Sequence, residues 1–312
     1  EPIGRDGREY SKIKRGIRWF QQELKRAGLL ENVGRAEWKL TREGKAKVQL
    51  HQAINGFMML AFSTKLGVAI WGDSRNIFSK IKEPIHLTVT SPPYPIQIGR
   101  AYGTFREDEV INLIIGVMEP IIANLVDGGS IMLNLGNNVF ERGSAARSMW
   151  IEKLTLKLHE KLDMWLMDKI IWNNTQSAPA VPTEWCAKKG IHLAATYETI
   201  LWMCNNPNAA RTNNRNILRP LSEPYKKLMQ GDGEKRERKF ADGAHTIRKG
   251  SFSNQAEGAL PKNIYSRGHR CKHNNVYRKY CRENNLPVHG ATYPFELAEY
   301  LIKFASSEAR KK

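Results

Sequence analysis

Six consecutive residues, Thr90-Ser91-Pro92-Pro93-Tyr94-Pro95, combine what is needed to hold the exocyclic amine of a flat heterocycle. Neither Pro92 nor Pro93 has an N–H, and the ring of Pro93 drives Pro92 toward an extended conformation. The backbone there offers carbonyl acceptors and few donors. Ser91 adds a hydroxyl acceptor, and Tyr94 adds an aromatic face on which a base can stack. The segment closes the apolar run Ile85-His86-Leu87-Thr88-Val89, so it sits where a buried strand would end. A bare Pro-Pro reads as a turn; six such residues after a strand read as a binding loop.

The elements that must position this loop follow from periodicity. Apolar runs at Leu66–Trp71, Ile85–Thr90, Ser130–Leu135, Met164–Trp172 and Thr199–Cys204 predict strands. Glu107–Val126 carries Val110, Leu113, Ile114, Val117 and Ile121 on one helical face, and Arg147–Leu162 predicts a second helix. Strands separated by helices of this length predict an α/β fold, with a largely parallel sheet covered on both faces. Ligands of such sheets collect at the carboxyl edge, where the loops beginning at Asp73, Ser91 and Asn134 are expected.

Two flanking regions differ in character. In residues 1–50, Ile13, Ile17, Phe20 and Leu24 recur at helical spacing, with Gly28 as a stop. A turn at Asn32-Val33-Gly34-Arg35, a strand over Ala36–Thr41 and a turn at Gly44 follow, the order of a winged helix or of a small appendage with a solvated basic face. Residues 205–285 are rich in Gly, Asn, Lys and Arg, with eight Lys or Arg against four Asp or Glu over 226–249. They read as a long loop region projecting from the core that contacts DNA. Phe295, Leu297, Leu301, Ile302 and Phe304 mark a last helix. The expected division is 1–50, a core over 51–204, a target-recognition region over 205–285, and 286–312.

Composition narrows the partners. The 312 residues hold 49 Lys+Arg against 31 Asp+Glu, a net charge of +18. That excess favours a polyanion held by salt-dependent phosphate contacts. Ser63, Thr64 and Lys65 interrupt the apolar stretch Phe57–Trp71, so no membrane span is expected. Cys186, Cys204, Cys271 and Cys281 form no Cys-x-x-Cys pair, which fits reduced thiols in a cytoplasm. His269, Cys271, His273 and Cys281 lack a zinc-finger spacing, and no metal is expected.

With Ser-Pro-Pro-Tyr placed after a strand, the chain resembles the amino-methyltransferases of DNA from about Gly67 to Phe304. Gly72-Asp73-Ser74, Gly128-Gly129-Ser130 through Asn134-Leu135-Gly136, Ile170-Ile171-Trp172-Asn173 and Arg215-Asn216-Ile217-Leu218-Arg219-Pro220 are similar to further blocks of that family. His289-Gly290-Ala291-Thr292-Tyr293-Pro294-Phe295 resembles the block before its cofactor loop, with Gly290 where relatives carry proline. Ala27-Gly28-Leu29-Leu30-Glu31 and Trp38-Lys39-Leu40-Thr41-Arg42-Glu43-Gly44 resemble the winged-helix region of Mrr-type restriction proteins.

The resemblance implies a Rossmann-like, S-adenosylmethionine-dependent methyltransferase sheet acting on double-stranded DNA. Ser91 in first position implies cytosine N4 as acceptor, within a restriction–modification system of a prokaryotic or phage-infected cell. Adenine N6 is the alternative acceptor, and a non-catalytic DNA-binding protein is the alternative class. The implied catalytic residues are Ser91, Pro92, Pro93 and Tyr94, acting on a flipped-out base. Asp73, Tyr293, Pro294 and Phe295 are the implied cofactor contacts, Asp73 being equally readable as a helix N-cap. Arg35, Lys39, Arg100, Arg215, Arg219, Lys235, Arg236, Arg238 and Lys239 are the expected DNA contacts. The family's Phe-x-Gly-x-Gly loop is expected from a further segment of the chain or from a second polypeptide; Gly231-Asp232-Gly233 lies in a polar loop and is no substitute.

Overall fold

A computed structural model describes residues 21–34, 37–44, 58–78, 80, 82–95, 106–176, 183–254, 256–286, 288–289, 292 and 294–307. Near its N-terminus, residues 21–26 are helical and lead into an antiparallel hairpin of β1 (Leu30–Gly34) and β2 (Glu37–Leu40). The pairings Leu30↔Leu40 and Asn32↔Trp38 place Leu30, Trp38 and Leu40 on one face, where they pack with Leu24 and Leu29. Residues 32–34, expected as a turn, therefore extend as strand, because pairing closes this small core. The winged-helix expectation rests largely on residues outside those described.

A second hairpin joins β3 (Met58–Ser63) to β4 (Val68–Gly72). Thr64 Oγ1 accepts from the N–H groups of Leu66 and Gly67 at 3.2 and 3.1 Å, which fixes its turn. The strand expected at Leu66–Trp71 thus exists but, among the described residues, pairs with β3 and not with the main sheet. Antiparallel strands need only a short turn, whereas a parallel neighbour needs a crossover. Asp73 consequently follows a hairpin rather than the edge of the main sheet, and opens the short helix α1 (Ser74–Phe78).

The main sheet contains β5 (Ile85–Thr90), β6 (Leu125–Leu135), β7 (Trp165–Asn173), β8 (Tyr197–Cys204) and, further along the chain, β11 (Ile264–Ser266). Its order is β11-β7-β8-β6-β5. β5 runs parallel to β6, and β11 parallel to β7, but β8 is antiparallel to both of its neighbours. The sheet is mixed rather than largely parallel. The described part of the connection before β8 carries only a π-helical turn, Thr183–Lys188, so the chain doubles back instead of crossing over.

Period-two alternation sends opposite sides of β6 and β8 into two cores. Ile131, Leu133, Leu135, Leu201 and Met203 pack against helices α2 (Glu107–Ile122) and α3 (Trp150–Leu162). Met132, Ile200 and Trp202 face the other way, with Ile170 and Trp172 of β7. Leu297, Leu301 and Ala305 of α6 (Phe295–Ala305) cover them. Helix α2 stops at Ile122, soon after Pro120, and not at Val126. The chain then enters β6 at Leu125, and Gly128, at φ 74°, lets that strand kink where the Ala209 backbone approaches.

The 205–285 region holds more structure than its composition predicts. It contains α4 (Glu223–Gln230), a small hairpin of β9 (Arg238–Phe240) and β10 (His245–Ile247), the sheet strand β11, and α5 (Lys272–Glu283). Strands of three residues leave no period to read. No helix among the described residues is long and apolar enough to cross a membrane.

Candidate active site

Register brings the polar groups together. Thr90 pairs with Leu133 in the parallel direction, so Ser91, as it leaves the sheet, comes beside Asn134 of β6. Asn134 pairs with Ile200 in the antiparallel direction, so the start of β8 reaches the same edge. Alternation along β8 then puts Glu198 on the face that carries Ile200 and Asn134. The loop after β5 supplies the fourth group, Tyr94.

These four side chains form one hydrogen-bonded set. Ser91 Oγ lies 2.8 Å from the Tyr94 hydroxyl and 3.3 Å from the Asn134 carbonyl oxygen. Tyr94 donates to Glu198 Oε2 at 3.3 Å. Asn134 Nδ2 donates to the same carboxylate oxygen at 2.6 Å, and more weakly to the Tyr94 hydroxyl at 3.4 Å. A carboxylate takes only donors, so Glu198 fixes the Asn134 amide with its nitrogen inward. Asn134 Oδ1 is left buried and without a partner among the described residues. Burial pushes the Glu198 carboxyl above its ordinary value, and the bonds from Asn134 and Tyr94 oppose that rise without cancelling it.

The ring of Tyr94 is held as firmly as its hydroxyl. A Cβ at Gly136 would stand 2.7 Å from Tyr94 Cδ2 and 2.8 Å from Cε2, so the ring lies directly over that glycine. Trp150 fixes the glycine backbone by donating from Nε1 to the Gly136 carbonyl at 3.1 Å. The Tyr94 and Trp150 rings themselves lie 6.2 Å apart. Pro92 and Pro93 are half-buried, and the Pro92 carbonyl accepts no hydrogen bond from the described residues. The arrangement presents three acceptors, Ser91 Oγ, the Pro92 carbonyl and Asn134 Oδ1, beside a fixed aromatic ring.

The remaining expected residues are less concentrated. Asp73 caps α1, accepting from the Arg75 N–H at 2.9 Å. The Arg75 guanidinium also binds the carboxylate, with Nη2 2.6 Å from Oδ2, and this side-chain bond holds Asp73 below its usual range. Pro294 is buried as the N-cap of α6; Phe295 is 47% exposed and rests against His273. Tyr293, Arg35 and Arg100 lie outside the described residues. Lys39, Arg215, Arg219, Lys235, Arg236, Arg238 and Lys239 are all exposed. Of these, Arg238 pairs with Glu234 at 3.4 Å and Arg219 reaches the Leu260 carbonyl at 3.4 Å.

Two of the four candidate zinc ligands have other work: Cys271 Sγ caps α5 by accepting from the Asn274 N–H, and His269 Nδ1 meets Asn174 Nδ2 at 3.3 Å. No group of three or more His, Cys, Asp or Glu among the described residues is placed to hold a metal. S-adenosylmethionine needs free polar atoms for its nucleoside and amino-acid ends, next to an apolar surface. Thr292 Oγ1 is buried without a partner among the described residues just ahead of α6, near buried Pro294 and the partly exposed Phe295 ring in sequence. These residues fit such a group.

Neither Glu198 nor the Asn134 side chain stood out in the sequence. The available signal for Glu198 was a lone acid at the head of the uncharged run Thr199–Cys204.

An α/β sheet with one reversed strand and a Ser-Pro-Pro-Tyr loop at its carboxyl edge defines a class of enzymes that methylate amines on bases. The chain belongs to the DNA methylase family, whose model matches residues 85–310. Among proteins of known activity it is similar to the type II methyltransferase M.PvuII of Proteus hauseri, with 25% identity over 244 residues, 78% of this chain and 71% of that one. The solved structure of the cytosine-N4-specific PvuII DNA methyltransferase superposes with a TM-score of 0.55 and 19% identity, over 75% of this chain and 68% of that one. That superposition establishes the fold.

Proposed function

We propose that this chain methylates the N4 amine of cytosine in double-stranded DNA, with S-adenosylmethionine as donor. The observation that carries the reading is the Ser91 hydroxyl, fixed between Tyr94 and Asn134 at the edge where β5 ends. The similarity of the chain to M.PvuII, whose solved structure is described as cytosine-N4-specific, supports the same acceptor.

The chemistry explains the residues. The amine of cytosine is nearly planar because its lone pair is delocalised into the ring, which makes it a poor nucleophile. Flipping the base out of the duplex costs a few kcal/mol, and the Tyr94 ring offers a surface to receive it. Ser91 Oγ and the Pro92 carbonyl accept from the two amine hydrogens. That draws the nitrogen toward tetrahedral geometry and frees its lone pair. The donor supplies an electrophilic methyl on a sulfonium. Thr292, Pro294 and Phe295, with Tyr293 and Asp73, are the residues proposed to hold it. Fixed geometry and fixed dipoles do the rest, and no covalent intermediate is required.

The exposed basic residues Lys39, Arg215, Arg219, Lys235, Arg236, Arg238 and Lys239, together with Arg35 and Arg100, are proposed to contact the DNA backbone. In this reading the protein works in the cytoplasm of a prokaryotic or phage-infected cell, within a restriction–modification system. Mass spectrometry of nucleosides from DNA exposed to the protein and donor tests the acceptor. N4-methylcytosine is expected; N6-methyladenine in its place would overturn the assignment.

A further inference from the structure

We propose that Glu198 is the proton acceptor of this reaction, reached from the target amine through the hydroxyls of Ser91 and Tyr94. The proposal rests on the methyl-transfer reading of the same site. Methylation forms a nitrogen–carbon bond as the sulfonium–carbon bond breaks, and it leaves one proton too many on N4. That proton must leave before a neutral product can return to the stack.

The hydrogen bonds set its direction. The amine donates to Ser91 Oγ. Ser91 Oγ and the Tyr94 hydroxyl lie 2.8 Å apart and either can donate; with Tyr94 donating to Glu198 Oε2 at 3.3 Å, the relay has Ser91 turn its proton from the Asn134 main-chain carbonyl to the Tyr94 oxygen. A proton moved from N4 to Ser91 displaces the serine proton to Tyr94 and the tyrosine proton to Glu198. Both hydroxyls are restored, the product amine is neutral, and the carboxylate ends as a carboxylic acid. Of the groups bonded to these hydroxyls, Asn134 is an amide and takes no proton; the carboxylate does.

The surroundings suit the role. Asn134 from β6 and Tyr94 from the loop after β5 are the groups that act on the carboxyl, and β7 places Trp172 opposite it in the sheet. No charged residue among those described contributes to its titration. Burial raises its proton affinity above that of an ordinary carboxylate, which makes it a stronger base. The Asn134 nitrogen, 2.6 Å from Oε2, orients the carboxylate while remaining a spectator to the transfer.

The test compares the full-length wild-type protein with E198Q and E198D. Glutamine keeps an oxygen that can accept from Asn134 and Tyr94 but cannot hold the proton, so a role in positioning alone leaves E198Q nearly as fast as the wild type. Single-turnover methyl transfer is expected to fall at least 100-fold in E198Q and about tenfold in E198D, the range for loss of a general base. DNA affinity, measured by fluorescence anisotropy with a duplex carrying the target, is expected to stay within about threefold in both. The wild-type rate is expected to fall as pH is lowered and Glu198 becomes protonated, at a pH above the ordinary carboxylate range, and E198Q to lose that limb. Carbon-13 NMR of labelled glutamate gives a second readout. A carboxyl titrating above the ordinary range is expected in the wild type and absent from E198Q.

E198Q turning over within threefold of wild type with the same acid limb would overturn the proposal while leaving the methyltransferase reading intact. A rate loss matched by an equal loss of DNA affinity would assign Glu198 to holding the loop and overturn the proton role. Wild-type protein that methylates no DNA, with the donor present, would remove both readings together.

Discussion

The loop after β5 and the basic segment around β9 and β10 lie in the same chain and obey opposite rules. Ser91, Tyr94, Asn134 and Glu198 are tied to one another from two strands and a loop, with no cation in the set. Lys235, Arg236, Arg238 and Lys239 are exposed, and Glu234 is the acid bound to Arg238. In the first region each atom has a single position, and its loss has no substitute. In the second, many equivalent charges face water, and each contributes a small, salt-screened share. Chemistry demands the first arrangement, and sliding along a polyanion is served by the second.

Substitutions separate the two. The largest effect outside Glu198 is expected for Ser91→Ala, which removes the first acceptor. Single-turnover methyl transfer should fall by about 10²–10³, the cost of losing one preorganised hydrogen-bonding group, with DNA affinity retained. Gly136→Ala comes next, because its Cβ would stand 2.7 Å from the Tyr94 ring and force the ring aside. A shift of roughly 1 Å at such a site costs about 100-fold in rate, measurable in the same assay. Tyr94→Ala breaks the relay to Glu198 as well, so its methyl-transfer rate should fall as far as that of E198Q; separately, it should weaken capture of the flipped base by about 1–3 kcal/mol, seen with a fluorescent cytosine analogue at the target. Unchanged flipping would refute the stacking role.

The smallest change per residue is expected in the basic segment. Replacing Lys235, Arg236, Arg238 and Lys239 together with alanine should flatten the plot of log affinity against log salt by about 0.9 for each phosphate that is no longer neutralised. Rate at saturating DNA should not move. A fall in that rate would collapse the distinction between the two regions.

Much of this was legible from residue types alone. Ile85–Thr90 is a strand with the expected limits, because its apolar positions leave no other use for it, and the loop that follows sits at the sheet edge. Helices α2 and α3 were legible as helices too, although the buried face of α2 runs through Ile111 and Met118 where Leu113 and Val117 were expected. The pairing of β4 with β3 was not, since a strand's own pattern does not name its partner. The direction of β8 was hidden for the same reason, and with it Glu198, which stands 104 positions from Tyr94 and meets it only through folding. Asn134 was visible as the end of an apolar run, yet its amide gains meaning only once a carboxylate pins one side of it.

The reversal of β8 has a consequence for how such a site could be transplanted or tuned. In an all-parallel sheet, every strand offers its exit loop to the ligand edge. Here one strand offers its entrance instead, so the residue that completes the set lies just after the connection from β7. Grafting Ser91–Pro95 onto another sheet would carry the acceptors without their base. Lengthening or trimming the connection ahead of Tyr197 would move the base while leaving the acceptors in place. Two separate stretches of sequence therefore hold independent control of where the amine is gripped and where its proton goes.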